Sequence, residues 1–302
     1  MIKRTLYFGN PAYLSYKMKQ LVIRLVANDP DEYSEQIRTV PVEDIGVVVV
    51  DNQQVTFTSG LMAALLEENV ALVTCDSKHI PTGLMLSLQG YSSQNQRFRN
   101  QLEASLPLKK QLWQQTVECK IRNQAAVLKY VSGEDAKNML AWAGSVKSGD
   151  SENMEGRAAA YYWKNVFEVR FVRDQFGEYP NNLLNYGYAI LRAIVARALV
   201  ASGMLPLLGI HHHNKYNDYC LADDIMEPYR PFVDRLVLNV MDEYPDDKEL
   251  NKNIKARLLT IPVLDVNIDG HKSPLMVAVS TTTASLYKCF SGVCRKIVYP
   301  SM

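Results

Sequence analysis

The segment GIHHHNKYNDYCLADDIMEPYRP, residues 209–231, is the stretch around which the rest of the chain is organised. It combines three consecutive histidines with several acidic residues, and neutral imidazole together with ionised carboxylate is typical of metal sites. The acidic half predicts a short helix that begins near Ala222, on which Asp224 and Glu227 share a face. The prolines that follow limit how far this helix can continue. The segment therefore predicts a metal site that takes a further ligand from elsewhere in the chain.

Two longer helix patterns would supply the rest of this site. The segment 181–209 predicts a long helix at 181–202 with an apolar stripe, ended by Gly203, which would position the loop that carries His211, His212 and His213. Because adjacent side chains diverge in extended backbone, at most one or two of these histidines can face one metal ion. Glu155 lies just inside a second predicted helix, whose small residues allow close approach to another backbone, so its carboxylate is a candidate ligand. The alternative is that a first-turn Glu simply favours the helix dipole.

The bulk composition limits the class of protein. At 302 residues, the chain can form one large domain or two ordinary ones. Its net charge of +1 gives no overall nucleic-acid-binding signature, so any such surface must be local. The five cysteines are scattered and odd in number, which is typical of reduced thiols and argues against a disulfide framework or a zinc ribbon. We see no secretory h-region and no membrane-spanning apolar run, and we therefore expect a soluble cytoplasmic protein.

The pattern along the chain predicts an α+β fold, with a small N-terminal β domain followed by a larger all-α catalytic domain. We expect the β domain at 1–80, a linker at 81–91 and the helical domain at 92–302. Short β-branched or aromatic runs between turn residues predict strands at 5–8, 13–16, 20–25, 45–50, 55–58 and 70–74. Apolar residues three and four apart predict helices at 60–68, 92–105, 108–131, 134–146, 153–172, 181–202, 230–244, 248–259 and 273–288. Alternation at 261–269 predicts a small hairpin.

Local charge is uneven along the predicted helices. Between residues 92 and 130 there are seven basic and two acidic side chains, which gives a local net charge of +5. Clustered Lys and Arg release counterions from nucleic acid, so this segment is a candidate surface for DNA phosphates. The alternative is a solvated helix face. The candidate DNA-binding residues are Arg97, Arg99, Lys109, Lys110, Lys120 and Arg122.

Together these segments resemble a known family, the CRISPR adaptation integrases, which insert new spacers into a repeat array. The resemblance is carried by NMEGRAAAYYW at 153–163, NNLLNYGYAILRAIVARALVASGMLPLL at 181–208, and the segment 209–231. These match, in order, the family's Glu-Gly-small-small helix, its Asn-x-Leu-Leu-x-x-Gly-Tyr, its Gly-x-x-His, and its acidic pair ahead of Phe/Tyr-Arg-Pro. The match covers nearly the whole chain. HIPTGLMLSLQG and LWQQTVECKIRNQ are similar to the type II branch of the family.

The resemblance implies a set of catalytic metal ligands. Carried over position by position, they are Glu155, His212 and Glu227, with His212 third after Gly209 as in the family. Asp224 matches the family's first acid and is a candidate auxiliary ligand, or a residue that supports a ligand. One imidazole and two carboxylates, open to water or substrate, suit Mg²⁺ or Mn²⁺ better than structural zinc.

Two further positions are candidates for auxiliary roles. Arg230 matches the family's Arg before Pro and would orient a carboxylate or hold a DNA phosphate, with a structural salt bridge as the alternative. His211 is an auxiliary candidate beside His212, although the resemblance fixes no role for either His211 or His213.

The resemblance also implies a reaction and partners. We expect a homodimer that assembles with a small ferredoxin-like adaptation subunit and binds double-stranded DNA, namely the protospacer and the CRISPR repeat. The expected reaction is metal-dependent transesterification, in which a protospacer 3′-hydroxyl attacks a phosphodiester at the edge of the repeat. One alternative is a hydrolytic metal nuclease on branched or single-stranded DNA. Another is a non-catalytic DNA-binding scaffold whose His, Asp and Glu cluster is only structural.

Overall fold

The chain forms two compact units, residues 1–92 and 93–302. The computed structural model describes residues 3–25, 37–89, 91–167, 171–174 and 177–302. Strands dominate the first unit and helices dominate the second. The predicted α+β class, with an N-terminal β region followed by a helical region, is therefore confirmed.

Two four-stranded sheets, one α-helix and a short 3₁₀ turn at Val42–Asp44 make up the described part of the first unit. The strands are β1 (Arg4–Phe8), β2 (Ala12–Lys17), β3 (Gln20–Leu25), β4 (Ile37–Pro41), β5 (Ile45–Val50), β6 (Val55–Phe57), β7 (Ala71–Cys75) and β8 (Pro81–Met85), and the helix is α1 (Ser59–Glu67). The first sheet has the order β1-β5-β7-β8, with β1, β5 and β7 parallel and β8 antiparallel to β7. The second has the order β4-β3-β2-β6, with β2 and β6 parallel and the other pairs antiparallel.

The sequence explains the central strand and the tight hairpin of this unit. Val47, Val48 and Val49 of β5 are all buried, as is typical of a central parallel strand that is covered on both faces. β2 and β3 join through Met18 and Lys19, which have φ values of 50° and 62°. Positive φ at both central residues matches the right-handed twist of the two strands.

The first unit extends further along the chain than the sequence predicts. β8 lies inside the segment expected to be a linker and pairs with β7, so the unit ends at Ser92 rather than at residue 80. The sequence pattern does not predict this strand, because it contains Pro81 and Gly83 and both residue types are unfavourable inside strands. Pro81 is the first residue of β8, and a Cβ at Gly83 would lie 2.3 Å from Thr74 Oγ1. β4 is likewise absent from the predicted strands, and it pairs with β3.

The second unit is built from nine described α-helices, short 3₁₀ turns and one small hairpin. The helices are α2 (Gln94–Glu103), α3 (Leu106–Ser132), α4 (Lys137–Ser145), α5 (Met154–Val166), α6 (Asn181–Ala201), α7 (Cys220–Met226), α8 (Arg230–Glu243), α9 (Lys252–Leu258) and α10 (Leu275–Phe290). The hairpin strands are β9 (Asp265–Ile268) and β10 (His271–Pro274). The predicted hairpin thus extends further, because Asp269 and Gly270 form its turn rather than its end. α5 ends at Val166, and residues 168–170 of the predicted helix lie outside the described residues.

Helices α3 and α6 form the scaffold of the second unit. α3 contacts α4, α5, α7 and α8, and α6 contacts α7, α8 and α10. Within the described ranges, α6 alone has the length and hydropathy of a membrane-spanning helix, which differs from the expectation that no such run exists. However, 83% of its apolar window is buried inside the protein, as in the core helix of a globular domain. These two helices position the elements that carry the candidate site.

Candidate metal centre

Glu155 lies in the first turn of α5, and two preceding residues, Asp150 and Asn153, fix that turn. The two carboxylate oxygens of Asp150 accept the backbone N–H groups of Met154 (2.8 Å) and Glu155 (2.9 Å). Asn153, in the left-handed conformation, caps the helix by accepting the N–H of Gly156 at 3.1 Å. These contacts satisfy free donors at the helix start and hold the backbone of Glu155 in place. The sequence pattern points to Glu155 but not to Asp150.

Glu227 lies directly after α7, in the 3₁₀ turn Glu227–Tyr229. Its side chain is only 6% exposed, and both of its carboxylate oxygens face cations. Oε1 lies 3.0 Å from Nε of Arg230, and Oε2 lies 2.5 Å from Nζ of Lys120. A buried carboxylate needs such partners, because removing it from water without compensation is costly. For Arg230 this contact fits both orientation of a carboxylate and the structural salt bridge given as the alternative.

Lys120 of α3 brings the two glutamates together. Its Nζ lies 2.6 Å from Glu155 Oε1 as well as 2.5 Å from Glu227 Oε2. The two carboxylates, which are 72 positions apart in the sequence, therefore share one cation, and the Lys120 side chain is only 12% exposed. On the basis of local charge, the sequence places Lys120 among the candidate DNA-binding residues. The structure instead places its ammonium group inside the candidate metal centre.

His212 is held by Asp224, which is fully buried. Asp224 Oδ1 lies 2.5 Å from His212 Nδ1, and the Asp224 carboxylate also accepts the backbone N–H groups of Ile210 (2.7 Å), His211 (2.9 Å) and His212 (3.3 Å). Asp224 thus fixes both the loop and the imidazole ring. With Nδ1 engaged, Nε2 is the ring nitrogen that can serve as a metal ligand. The position of Asp224 fits support of a ligand rather than ligation.

Trp113 of α3 packs against the histidine loop. The ring of His211 stacks on Trp113, with centroids 4.1 Å apart and planes 2° from parallel, and His212 meets the same indole edge-on at 5.5 Å. His211 is therefore a packing neighbour that helps to place His212. His213 is exposed and lines a cavity of about 320 Å³ beside His212, together with Lys109 and Lys215.

Neighbouring charges raise the pKa of the basic groups in the cluster and lower the pKa of Glu227. Burial opposes the charge on Lys120, but the carboxylates of Glu227 and Glu155 outweigh it and raise the pKa of the ammonium. Burial would raise the pKa of Glu227, but Arg230 and Lys120 lower it overall. The hydrogen bond to Asp224 raises the pKa of His212. These directions favour an ionised Glu227 carboxylate and a charged Lys120 ammonium at neutral pH.

The donor set fits a hard divalent cation. Oxygen atoms from two glutamates and one imidazole nitrogen are ligands that Mg²⁺ and Mn²⁺ accept. In the part of the chain that the structure describes, no three His, Cys, Asp or Glu side chains converge closely enough to hold a metal. The position between Glu155 and Glu227 is taken by the Lys120 ammonium. Ligation by Glu155, His212 and Glu227 therefore requires Lys120 to move and stays a prediction.

The candidate DNA-binding residues do not form one uniform surface. Nη1 of Arg97 donates to the Ser202 carbonyl at 2.8 Å, and Arg122 pairs with Glu118 at 2.8 Å within α3. Such contacts are also what a structural or solvated helix face would show. DNA contact stays a prediction for the set, whose most exposed members are Arg99, Lys110 and Arg122.

Comparison with known proteins identifies the family. The sequence matches the family described as "CRISPR associated protein Cas1" over residues 6–259. The chain belongs to the Cas1 family. It is 37% identical over 287 residues to the CRISPR-associated endonuclease Cas1 of Neisseria meningitidis serogroup C (strain 8013), across 94% of this chain and 91% of that one. The predicted family is confirmed, and the Neisseria relative, which is named an endonuclease, is consistent with a type II-like branch.

Solved structures share the Cas1 fold. A casposase bound to integration product superposes with a TM-score of 0.79 at 20% identity, across 98% of this chain and 92% of that one. A Cas6-RT-Cas1–Cas2 complex gives a TM-score of 0.75 at 18% identity, across 98% of this chain and 36% of that one. At these identities the likeness establishes the fold.

Proposed function

We propose that the chain is the metal-dependent integrase subunit of CRISPR adaptation. In the proposed reaction, the 3′-hydroxyl oxygen of a protospacer forms a new bond to a phosphorus atom in the repeat DNA. The bond from that phosphorus to its original 3′-oxygen breaks, and the hydroxyl proton ends on the departing oxygen. The observation that carries the proposal is the convergence of Glu155 and Glu227, from distant parts of the chain, on one cation position.

The side chains of the centre have distinct proposed roles. Glu155 and Glu227 would hold the ion through carboxylate oxygens, and His212 would hold it through Nε2. When bound, a Mg²⁺ or Mn²⁺ ion polarises a phosphoryl oxygen and stabilises charge on the leaving oxygen. Asp224 keeps the imidazole in one orientation, and Arg230 keeps the Glu227 carboxylate from rotating.

The cavity beside His212 supports access of DNA to this centre. Its lining includes Lys109, Lys215 and His213 beside one carboxylate, Asp218, and otherwise neutral residues, so basic groups outnumber acidic ones there. A phosphate chain entering there would find basic groups before it reaches the carboxylates. The casposase in its integration product and the Cas1–Cas2 complex have the same fold, which supports DNA and a small partner subunit as ligands of this chain. We further propose a cytoplasmic homodimer.

A strand-transfer assay tests the proposal. Supercoiled repeat-containing DNA and a protospacer are incubated with the protein and its small partner, with Mn²⁺ or with EDTA. We expect joined product only with Mn²⁺, and its loss in Glu155→Gln, His212→Ala and Glu227→Gln at unchanged fold and oligomeric state. Glu152→Gln is the matched control, because Glu152 is an exposed carboxylate that pairs with Lys147. Full activity of His212→Ala would remove the assignment.

A second candidate function is hydrolytic cleavage of DNA by the same centre. It is favoured by the name of the Neisseria relative, which is an endonuclease. The same ligands would then activate water instead of a 3′-hydroxyl. A protospacer with a blocked 3′ end separates the two functions, because strand transfer should vanish whereas simple cleavage should persist.

A further inference from the structure

The ammonium group of Lys120 occupies the point at which the two proposed carboxylate ligands meet. Its Nζ lies 2.6 Å from Glu155 Oε1 and 2.5 Å from Glu227 Oε2. Mg²⁺ binds carboxylate oxygens at about 2.0–2.1 Å, so an ion held by the same two oxygens would lie at almost the same place. The ion and the ammonium cannot share that place.

The charges of the cluster lead to the same conclusion. Lys120 and Arg230 carry two positive charges, and Glu155 and Glu227 carry two negative charges, so these four side chains balance. Adding a divalent ion while Lys120 stays would place two further positive charges against the Lys120 ammonium, in a pocket where Lys120 is 12% and Glu227 6% exposed. Like charges that are desolvated repel strongly. Arg230 contacts Glu227 through the other oxygen and is not in the way.

We infer that Lys120 is an internal competitor of the divalent ion, which keeps the two carboxylates together and leaves them when the ion enters. The inference rests on the proposed function. Lys120 suits this role because an ammonium group on a flexible four-carbon chain can exchange partners, whereas a planar guanidinium holds carboxylates in a fixed fork. The lysine preorganises Glu155 and Glu227 for the ion and sets the affinity of the centre.

This role differs from that of a permanent structural lysine. If Lys120 only held the two glutamates in place and remained there, removing it would disorder the ligands and weaken metal binding. If Lys120 competes with the ion, removing it leaves the buried Glu227 carboxylate facing the partly buried Glu155 carboxylate, and a divalent ion relieves their repulsion. The two roles therefore predict opposite changes in metal affinity.

The first test measures Mn²⁺ binding to the full chain without DNA, from the electron paramagnetic resonance signal of free Mn²⁺. We expect Lys120→Met to bind Mn²⁺ at least tenfold more tightly than the unaltered protein. In EDTA, the melting temperature of Lys120→Met should be lower than that of the unaltered protein. Addition of Mn²⁺ should raise the melting temperature of the variant by more than it raises that of the unaltered protein. Lys129→Met is the matched control, because Lys129 lies on the same helix in an exposed pair with Asp135, and its Mn²⁺ affinity should not change.

A second measurement does not depend on the folding of a variant. The unaltered protein is treated briefly with an amine-acylating reagent, and the labelled fraction of each lysine is found by mass spectrometry. Mn²⁺ should increase the labelling of Lys120 and leave Lys129 unchanged. Labelling of Lys120 that Mn²⁺ does not increase would overturn the inference.

The outcomes separate this inference from the proposed function. If the unaltered protein binds Mn²⁺ and Lys120→Met binds it equally or less tightly, the competition is overturned while the metal centre remains. If neither protein binds Mn²⁺, and the unaltered protein also lacks Mn²⁺-dependent strand transfer, the proposed metal centre and the competition fail together.

Discussion

The Oδ1 atom of Asp224 lies 2.5 Å from Nδ1 of His212, so a fully buried carboxylate fixes the orientation of a half-exposed imidazole. The same carboxylate accepts three consecutive backbone N–H groups of the histidine loop. One side chain therefore determines both the loop conformation and the ring nitrogen that can face an ion. The centre depends on residues that would never touch the ion.

Replacing Asp224 tests this dependence. In Asp224→Asn, an amide N–H₂ replaces one acceptor oxygen, so either the imidazole or a backbone N–H loses its partner. Because groups that orient metal-ligating histidines typically contribute 10–100-fold, we expect Mn²⁺ affinity and strand transfer to fall by about that factor. Affinity is measured by Mn²⁺ titration. Asp246→Asn, at an exposed position, should behave like the unaltered protein, and equal behaviour of the two variants would contradict the role of Asp224.

Asp234 predicts a pH dependence of stability. Burial raises the pKa of Asp234 to about 6, although hydrogen bonds from Tyr188 and Tyr162 act in the opposite direction. The folded-state pKa lies above the unfolded value of about 3.9, so the folded protein binds more protons between these values. The contribution of Asp234 is fully present below pH 4 and is lost as pH rises through 6, about 3 kcal/mol in total.

Urea denaturation between pH 4 and 7 measures this contribution as a difference in slope. The free energy of unfolding of the unaltered protein should fall with rising pH relative to that of Asp234→Asn, which cannot titrate at this position. Asp246→Asn should retain the slope of the unaltered protein. Parallel curves for the unaltered protein and Asp234→Asn would show that Asp234 titrates normally.

A substitution at Gly209 tests how closely the histidine loop approaches α7. A Cβ at Gly209 would lie 2.4 Å from the carbonyl oxygen of His212 and 2.8 Å from Asp224 Oδ2. Gly209→Ala should therefore lower the free energy of unfolding by about 1–3 kcal/mol, the usual cost of overpacking, and should reduce strand transfer. Gly144→Ala is the control, since a Cβ there meets nothing within 4 Å and alanine favours its helix. Equal stability of the two variants in urea would contradict this packing.

We expect variants of the candidate DNA-binding residues to differ in the salt dependence of their affinity for DNA. A variant that no longer binds one of the DNA phosphates should show a slope of log affinity against log salt that is smaller by about 0.9. We expect such a reduction for Arg99→Gln and Lys110→Gln. Arg97→Gln should instead lower stability, because Arg97 donates to the Ser202 carbonyl and lies over the Tyr287 ring. Binding isotherms at several salt concentrations measure the slopes. Identical slopes for all three variants would contradict the assignment of Arg99 and Lys110 to DNA contact and of Arg97 to a structural role.

Local sequence patterns predict most elements but miss those that depend on partners. The bounds of β3 and β5 agree with the predicted runs, because β-branched and apolar residues fill both strands. β8 lies in the segment predicted to be a linker, because its Pro and Gly are acceptable only at an edge position beside β7. Pairing between β7 and β8 depends on residues in both strands, so the residue pattern of β8 alone does not predict it.

The candidate site shows the same limit. Glu155, His212 and Glu227 could be chosen from their order in the sequence, whereas Lys120 could not be assigned to them. One local signal was available, because Lys120 lies three residues after Val117 and next to Ile121, both fully buried on α3. A lysine beside an apolar stripe needs a charged partner when its ammonium group is buried. Which acids supply that partner depends on how α3 packs against α5 and the turn after α7.

Trp113 gives the molecule an optical reporter of its own. The indole is almost completely buried and stacks face to face with His211, while His212 meets its edge. Indole emission is sensitive to a neighbouring imidazole and to its protonation. Fluorescence from this tryptophan can therefore follow rearrangement of the histidine loop in real time, without an added dye, once Trp142 and Trp163 have been replaced by phenylalanine.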